Sequence, residues 1–200
     1  VELLVIGLFL AGSMVYEKQS GITNLLAATN KGREVLLNRK ILLAVLSVVF
    51  VWAITYGAEF HTFLSICKTE ALSASVQNLS MLEPLPFRCS IGMLLILLYA
   101  FRLLALLSAA FLSLLVSANA KRMETAYIGI CGVLLLPSLL YSYVGLEPMK
   151  YMSLSVPLAA MPIIQTANPL LTICVISVCL GIVIGVSVYM LRKQWPFVAG

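Results

Sequence analysis

An all-α, polytopic membrane bundle is the fold class this sequence predicts, and three observations predict it. The 200 residues are 62% hydrophobic and 10% charged, and their mean hydropathy is +1.05. A soluble domain is about half apolar and about a quarter charged, so here the exterior must be apolar as well as the core. The apolar residues gather into runs that approach or reach the roughly 20 residues needed to cross a bilayer. The charged residues fall mostly at the ends of those runs. The net charge of +5 is therefore read as topological. The basic residues form no patch beside exposed aromatics, so nucleic acid is not an expected partner.

The whole chain reads as one transmembrane domain of about five membrane helices plus one amphipathic cytoplasmic helix. Residues 1–16 hold a short first run, Leu3 to Val15, whose Gly7, Ala11, Gly12 and Ser13 suggest close approach by another helix. No charged leader or cleavage site precedes it, so no signal peptide is read, and the chain is expected to begin within a membrane helix of a longer protein. Residues 17–40 are polar with helical patterning. Residues 41–57 form the second run, with Trp52 and Tyr56 toward its far end, where interfacial aromatics prefer to sit. Residues 58–90 are an outer segment. In it Leu72, Val76, Leu79 and Leu82 recur at helical spacing, Thr69 could cap a short surface helix, and Pro84 and Pro86 end it.

Residues 91–116 are long enough to cross with some tilt. Residues 117–126 are an inner loop marked by Lys121 and Arg122. Residues 127–144 contain Pro137, which removes a backbone donor and predicts a kink. Residues 145–169 carry Pro148, Pro157, Pro162 and Pro169, too many for a clean span, in a segment too apolar for a free loop. A broken, partly re-entrant pair of short helices is expected there. Residues 170–191 are the last span, and 192–200 a tail beginning Arg192-Lys193.

Basic loops stay on the cytoplasmic side. With the polar segment inside, Lys18, Lys31, Arg33, Arg39, Lys40, Lys121, Arg122, Arg192 and Lys193 are cytoplasmic, nine of the thirteen Lys and Arg. Lys68, Arg88 and Lys150 fall outside and Arg102 lies in the membrane. This orientation predicts a cytoplasmic C-terminus.

The polar segment reads EKQSGITNLLAATNKGREVLLNRK. Ile22, Leu25, Leu26 and Thr29 share one helical face, Ser20 could cap the start, and Asn30-Lys31-Gly32 offers a stop. Glu17, Gly21, Leu25, Leu26, Thr29, Gly32-Arg33 and Lys40 form a pattern, E-x-x-x-G-x-x-x-L-L-x-x-T-x-x-x-R, ahead of a membrane helix. That pattern resembles the cytoplasmic coupling segment of ABC type-2 permeases. Many members carry a proline shortly before the arginine, where Asn30-Lys31-Gly32 stands here. The order of spans is similar to such a permease from its second helix to its sixth. The resemblance implies a multi-pass subunit of a cell membrane, of the bacterial cytoplasmic kind. It would be partnered by an ABC ATPase subunit and a second permease subunit, as homo- or heterodimer. It further implies that Leu25, Leu26 and Thr29 pack into the ATPase, while Glu17 and Arg33 fix the helix ends through ion pairs or hydrogen bonds.

Residues for other chemistry are sparse. No G-x-x-x-x-G-K-[ST] loop is present, so the chain is not expected to hydrolyse ATP itself or to be an enzyme, and no cofactor is expected. His61 has no metal-ligand spacing around it and reads as a solvated interfacial side chain. Cys67 and Cys89 flank the same outer segment and read as either a disulfide or two unpaired thiols. Arg102 stands out, since a charge within a span needs protein or water around it. It reads either as lining a translocation path or as a structural arginine bonded to carbonyls or reaching the headgroups, and no acidic partner is apparent at its depth. The expected function is the transmembrane subunit of an ATP-driven exporter. A membrane scaffold or sensor, docking a signalling partner through the same segment, is the alternative.

Overall fold

The computed structural model describes residues 2–20, 30–67, 69–78, 89–145 and 169–198, together with Ser153, Leu154 and Leu158. Five α-helices are described: α1 (Glu2–Gln19), α2 (Asn30–Cys67), α3 (Ile91–Asn119), α4 (Met123–Leu139) and α5 (Pro169–Val198). No strand occurs among the described residues, and the fold is an all-α bundle. Four stretches are long and apolar enough to cross a membrane, Val35–Cys67, Ile91–Asn119, Met123–Val144 and Leu171–Lys193. α1 holds a shorter uncharged stretch, from Leu3 to Tyr16 between Glu2 and Glu17.

α3 is the axis of the bundle, touched by all four other helices. Its buried residues include Ala105, Ser108, Ala109, Ala110, Ser113, Ser117 and Ala118. Small side chains let neighbouring backbones come close, which is what holds helices together in lipid. α1 packs Leu3, Ile6, Leu10, Met14 and Val15 inward, a stripe at i, i+3, i+7, i+11 and i+12. A Cβ on Gly7 would stand 2.9 Å from Ile130 Cγ2 and 3.2 Å from Ser113 Oγ, so this glycine sets the α1–α3–α4 spacing. Ser117 donates its hydroxyl to the Ala11 carbonyl at 2.9 Å, and Ser108 bonds Leu180 O of α5 at 3.4 Å. α2 turns Leu37, Lys40, Ala44 and Val48 inward, while Leu42, Leu46, Val49, Phe50 and Ile54 face out. Along α5, Leu171, Val175, Val178, Ile182, Val186 and Tyr189 are exposed in the same way. Such outward apolar faces suit a lipid surround.

Several boundaries differ from the sequence-based expectation. α2 does not stop at Gly57 but runs on to Cys67, and it does not begin after the polar segment but at Asn30, so Asn30-Lys31-Gly32 opens a helix rather than closing one. Its 38 residues make about 57 Å at 1.5 Å per residue. Ser20 follows the end of α1, its hydroxyl donating to the Glu17 carbonyl at 3.1 Å; the helix start it is expected to cap lies in residues 21–29, outside the described residues. The surface helix expected around Leu72 and Val76 is two 3₁₀ turns, Thr69–Ser73 and Val76–Asn78. The Ser73 hydroxyl donates to the Glu70 carbonyl, and Val76 N–H donates to Cys89 O, so an acceptor and a donor that could continue a helix are used elsewhere. Residues 79–88, with Leu79, Leu82, Pro84 and Pro86, lie outside the described residues. Cys67, exposed, and Cys89, half-buried, are both free thiols.

α3 starts on Ser90, whose side chain accepts from Met93 N–H. The turn between α3 and α4 is only Ala120–Arg122, shorter than the expected inner loop. Pro137 lies inside α4, and the chain passes into a π-helical turn, Leu140–Val144, closed by Gly145 at φ 70°. Proline cannot donate and crowds the preceding turn, and the wider π turn follows directly. Most of the expected broken segment, 145–169, lies outside the described residues.

Replacing Gly7 by Leu is expected to cost about 1–3 kcal/mol by overpacking the three-helix contact. The same change at Gly181, where a Cβ meets nothing within 4 Å, should leave the midpoint of thermal unfolding in detergent nearly unchanged. Equal shifts at both positions would contradict the close-packed contact.

Candidate functional site

Two polar clusters sit at opposite ends of the packed region. The first is built on Arg102 of α3. On α2, Tyr56 and Glu59 are three residues apart, and on α3 Tyr99 and Arg102 are three apart, so each helix presents a ring and a charge on one face. Arg102 Nη1 donates to Glu59 Oε2 at 2.7 Å, and Nε donates to the Leu158 carbonyl at 3.1 Å. The guanidinium lies 4.8 Å from the Tyr56 ring centre and 5.8 Å from that of Tyr99. Tyr56 donates its hydroxyl to Glu2 Oε2 at 2.8 Å, which adds α1. One arginine thus gathers α2, α3 and Leu158, with α1 joined through Tyr56.

Burial explains why this arginine needs so many partners. Its side chain is 14% exposed, against 51% for Glu59. A guanidinium taken out of water loses hydration that only a close anion, carbonyls and ring faces can replace. The expectation of no acidic partner is corrected: Glu59 is that partner. Gly57-Ala58-Glu59 ends the apolar run, which by hydropathy alone places Glu59 in the outer segment. The continued helical spacing of Tyr56, Glu59, Phe60 and Phe63 was the available signal for a longer helix.

A cavity of about 550 Å³ opens beside the cluster, lined by Glu2, Tyr56, Glu59, Arg102, Ser138 and Leu158, among others. Tyr56 also lines a pocket of about 360 Å³, together with Trp52, Phe60, Leu72, Leu95, Ile96 and Tyr99, with little polar surface. Trp52 Nε1–H is already committed to the Tyr99 carbonyl at 3.0 Å. Tyr56 and Tyr99 pack in a tilted arrangement, 5.6 Å between ring centres and 37° between planes.

The second cluster is the ion pair Lys40 Nζ–Glu17 Oε2 at 2.9 Å, with side chains 6% and 29% exposed. It ties the end of α1 to α2. Lys40 and Tyr56 are 16 residues apart on one helix, so the two clusters are separated by about 24 Å, slightly less than a hydrocarbon core of about 30 Å. Arg102 lies 11 residues, about 17 Å, inside the start of the apolar stretch Ile91–Asn119.

Of the residues expected to meet an ATPase, Glu17 is paired with Lys40. Gly21, Leu25, Leu26 and Thr29 lie outside the described residues, as does the side chain of Arg33. His61 is exposed, and among the described residues no group of three or more potential metal ligands occurs. Glu2, Tyr56, Glu59 and Tyr99 were not singled out as site residues from sequence. Compared with family models, curated proteins and solved structures, the chain matches none.

In a double-mutant cycle, Arg102→Met and Glu59→Gln should be coupled by about 0.5–3 kcal/mol, the range for residues in contact, and toward its lower part because Glu59 is half exposed. Thermal unfolding in detergent reads this, and additive effects would contradict the pairing.

Proposed function

We propose that this chain is the transmembrane subunit of an ATP-driven transporter, similar to ABC type-2 permeases, and that it exports its substrate. ATP hydrolysis belongs to a separate ABC ATPase subunit, and a second permease subunit, the same or different, completes the path. The single observation that carries this reading is the Glu17–Lys40 pair. It fastens both sides of the polar segment to the packed helices, so a push on that segment reaches α1 and α2 together. About 15 Å of α2 precedes Lys40, ten residues at 1.5 Å each, and extends the lever beyond the pair.

Charge supports the direction in which that lever points. Arg39 and Lys40 of α2, Lys121 and Arg122 between α3 and α4, and Arg192 and Lys193 of α5 follow the positive-inside rule when the segment is cytoplasmic. That orientation puts the C-terminus in the cytoplasm and the Arg102 cluster toward the outer face, in a cell membrane of the bacterial cytoplasmic kind. Leu25, Leu26 and Thr29 then pack into the ATPase, with Gly21 giving room for close approach and Arg33 anchoring the far end. Arg102 lines the path on its outer side.

The test is co-purification with an ATPase followed by Leu25→Asp with Leu26→Asp. The variant should keep its spans folded, and lose most of the ATPase association and substrate-stimulated ATP hydrolysis. Retention of both would contradict the coupling role. ATP-dependent uptake would contradict export.

A further inference from the structure

We propose that the polar cavity and the apolar pocket that share Tyr56 as a wall form one binding site for an amphiphilic cation, its charged head beside Glu2 and Glu59 and its apolar tail among Trp52, Phe60 and Ile96. As a statement about the transported substrate this rests on the reading above. As a statement about binding it stands alone.

Charge points first to a cation. The described residues of the cavity bring two carboxyl groups, Glu2 and Glu59, against one guanidinium. That guanidinium is already bonded to Glu59 and Leu158 O, while the hydrogen-bond partner of Glu2 is the neutral hydroxyl of Tyr56. A carboxylate in an apolar bundle is costly unless a cation faces it. An anionic head would have to displace Glu59 from a side chain only 14% exposed and would meet Glu2 as well. Aromatic geometry points the same way. The faces of Tyr56 and Tyr99 already hold one delocalised cation, and ring faces attract others of low hydration.

The apolar half follows from the shared wall. Tyr56 lines both spaces, so a molecule with its head in the cavity shares that wall with the pocket of Trp52, Phe60 and Ile96. Both volumes, about 550 and 360 Å³, fall within the range of roughly 300–1,000 Å³ common for small-molecule sites. The pocket offers almost no hydrogen-bonding groups, which suits an alkyl or aryl tail and disfavours a sugar.

The experiment is equilibrium binding of radiolabelled tetraphenylphosphonium to the protein in phosphatidylcholine nanodiscs. Binding should be saturable and displaced by dodecyltrimethylammonium but not by dodecyl sulfate. Glu2→Gln should weaken it about tenfold, the equivalent of about 1.4 kcal/mol. Ala53→Trp, which fills the apolar pocket from a lining position, should weaken it by a similar factor. Tyr56→Phe keeps the ring and frees Glu2, so binding should hold or tighten. Displacement by dodecyl sulfate as effective as by the cation would overturn the proposal, as would binding within twofold of the unaltered protein in folded Glu2→Gln or Ala53→Trp. Should Glu2→Gln fail to fold, Ala53→Trp and the competitor pair decide. Cation binding without ATP-driven movement would sink the transporter reading and leave the site standing. ATP-driven movement of an uncharged substrate with no cation binding would do the reverse.

Discussion

Helices inside a bilayer gain little by hiding apolar surface from one another, because lipid tails are as apolar as leucine; close contact between backbones has to hold them. α3 meets that requirement. Its alanines and serines at positions 105, 108, 109, 110, 113, 117 and 118 are buried, and Gly7 and Gly129 stand opposite where a larger residue would collide. Its serines return their hydroxyls to carbonyls of α3, α1 and α5. The polar sites depend on this seam. With α1 laid against α3, Glu2 reaches Tyr56; with α2 against α3, Glu59 reaches Arg102.

The two clusters lie at different depths of the bundle. Glu17–Lys40 and the Arg102 group are about 24 Å apart along α2, and each adds a polar tie between packed helices. Ion pairs at such depths are poor sources of net stability, yet removing one partner is expensive. Their more useful property is registration: each fixes how far one helix can slide past the next. In the proposed transporter, a pull on the polar segment at one end acts on helices whose other ends converge on Arg102.

Much of the fold was legible in the sequence, because hydropathy alone separates membrane spans from what joins them. The runs 41–57, 91–116, 127–144 and 170–191 all lie within described helices, apart from the π turn after Pro137. Helix ends were less legible. Gly57-Ala58-Glu59 ends an apolar run but not a helix, because the neighbouring α3 supplies the partner that lets Glu59 stay in one. The serine-rich stretch around Ser73 and Ser75 reads as helical by its aliphatic spacing, yet its hydroxyls and the Ser75–Ser90 bridge redirect the backbone. Arg102 was legible as an unusual residue, but its environment was not. Glu2, Tyr56, Glu59 and Leu158 are brought together by packing over separations no local pattern encodes. The Glu17–Lys40 pair likewise spans two helices, although both residues belong to the motif that marked the segment.

Topology is the most direct test of the proposed role. In a variant keeping Cys67 and carrying Arg33→Cys as its one other cysteine, the two thiols mark opposite ends of α2. A membrane-impermeant maleimide applied to intact cells should modify Cys67, which is exposed, and should reach position 33 only after permeabilisation. Labelling of position 33 from outside, with Cys67 protected, would place the polar segment on the wrong side for an intracellular ATPase and contradict the proposed coupling.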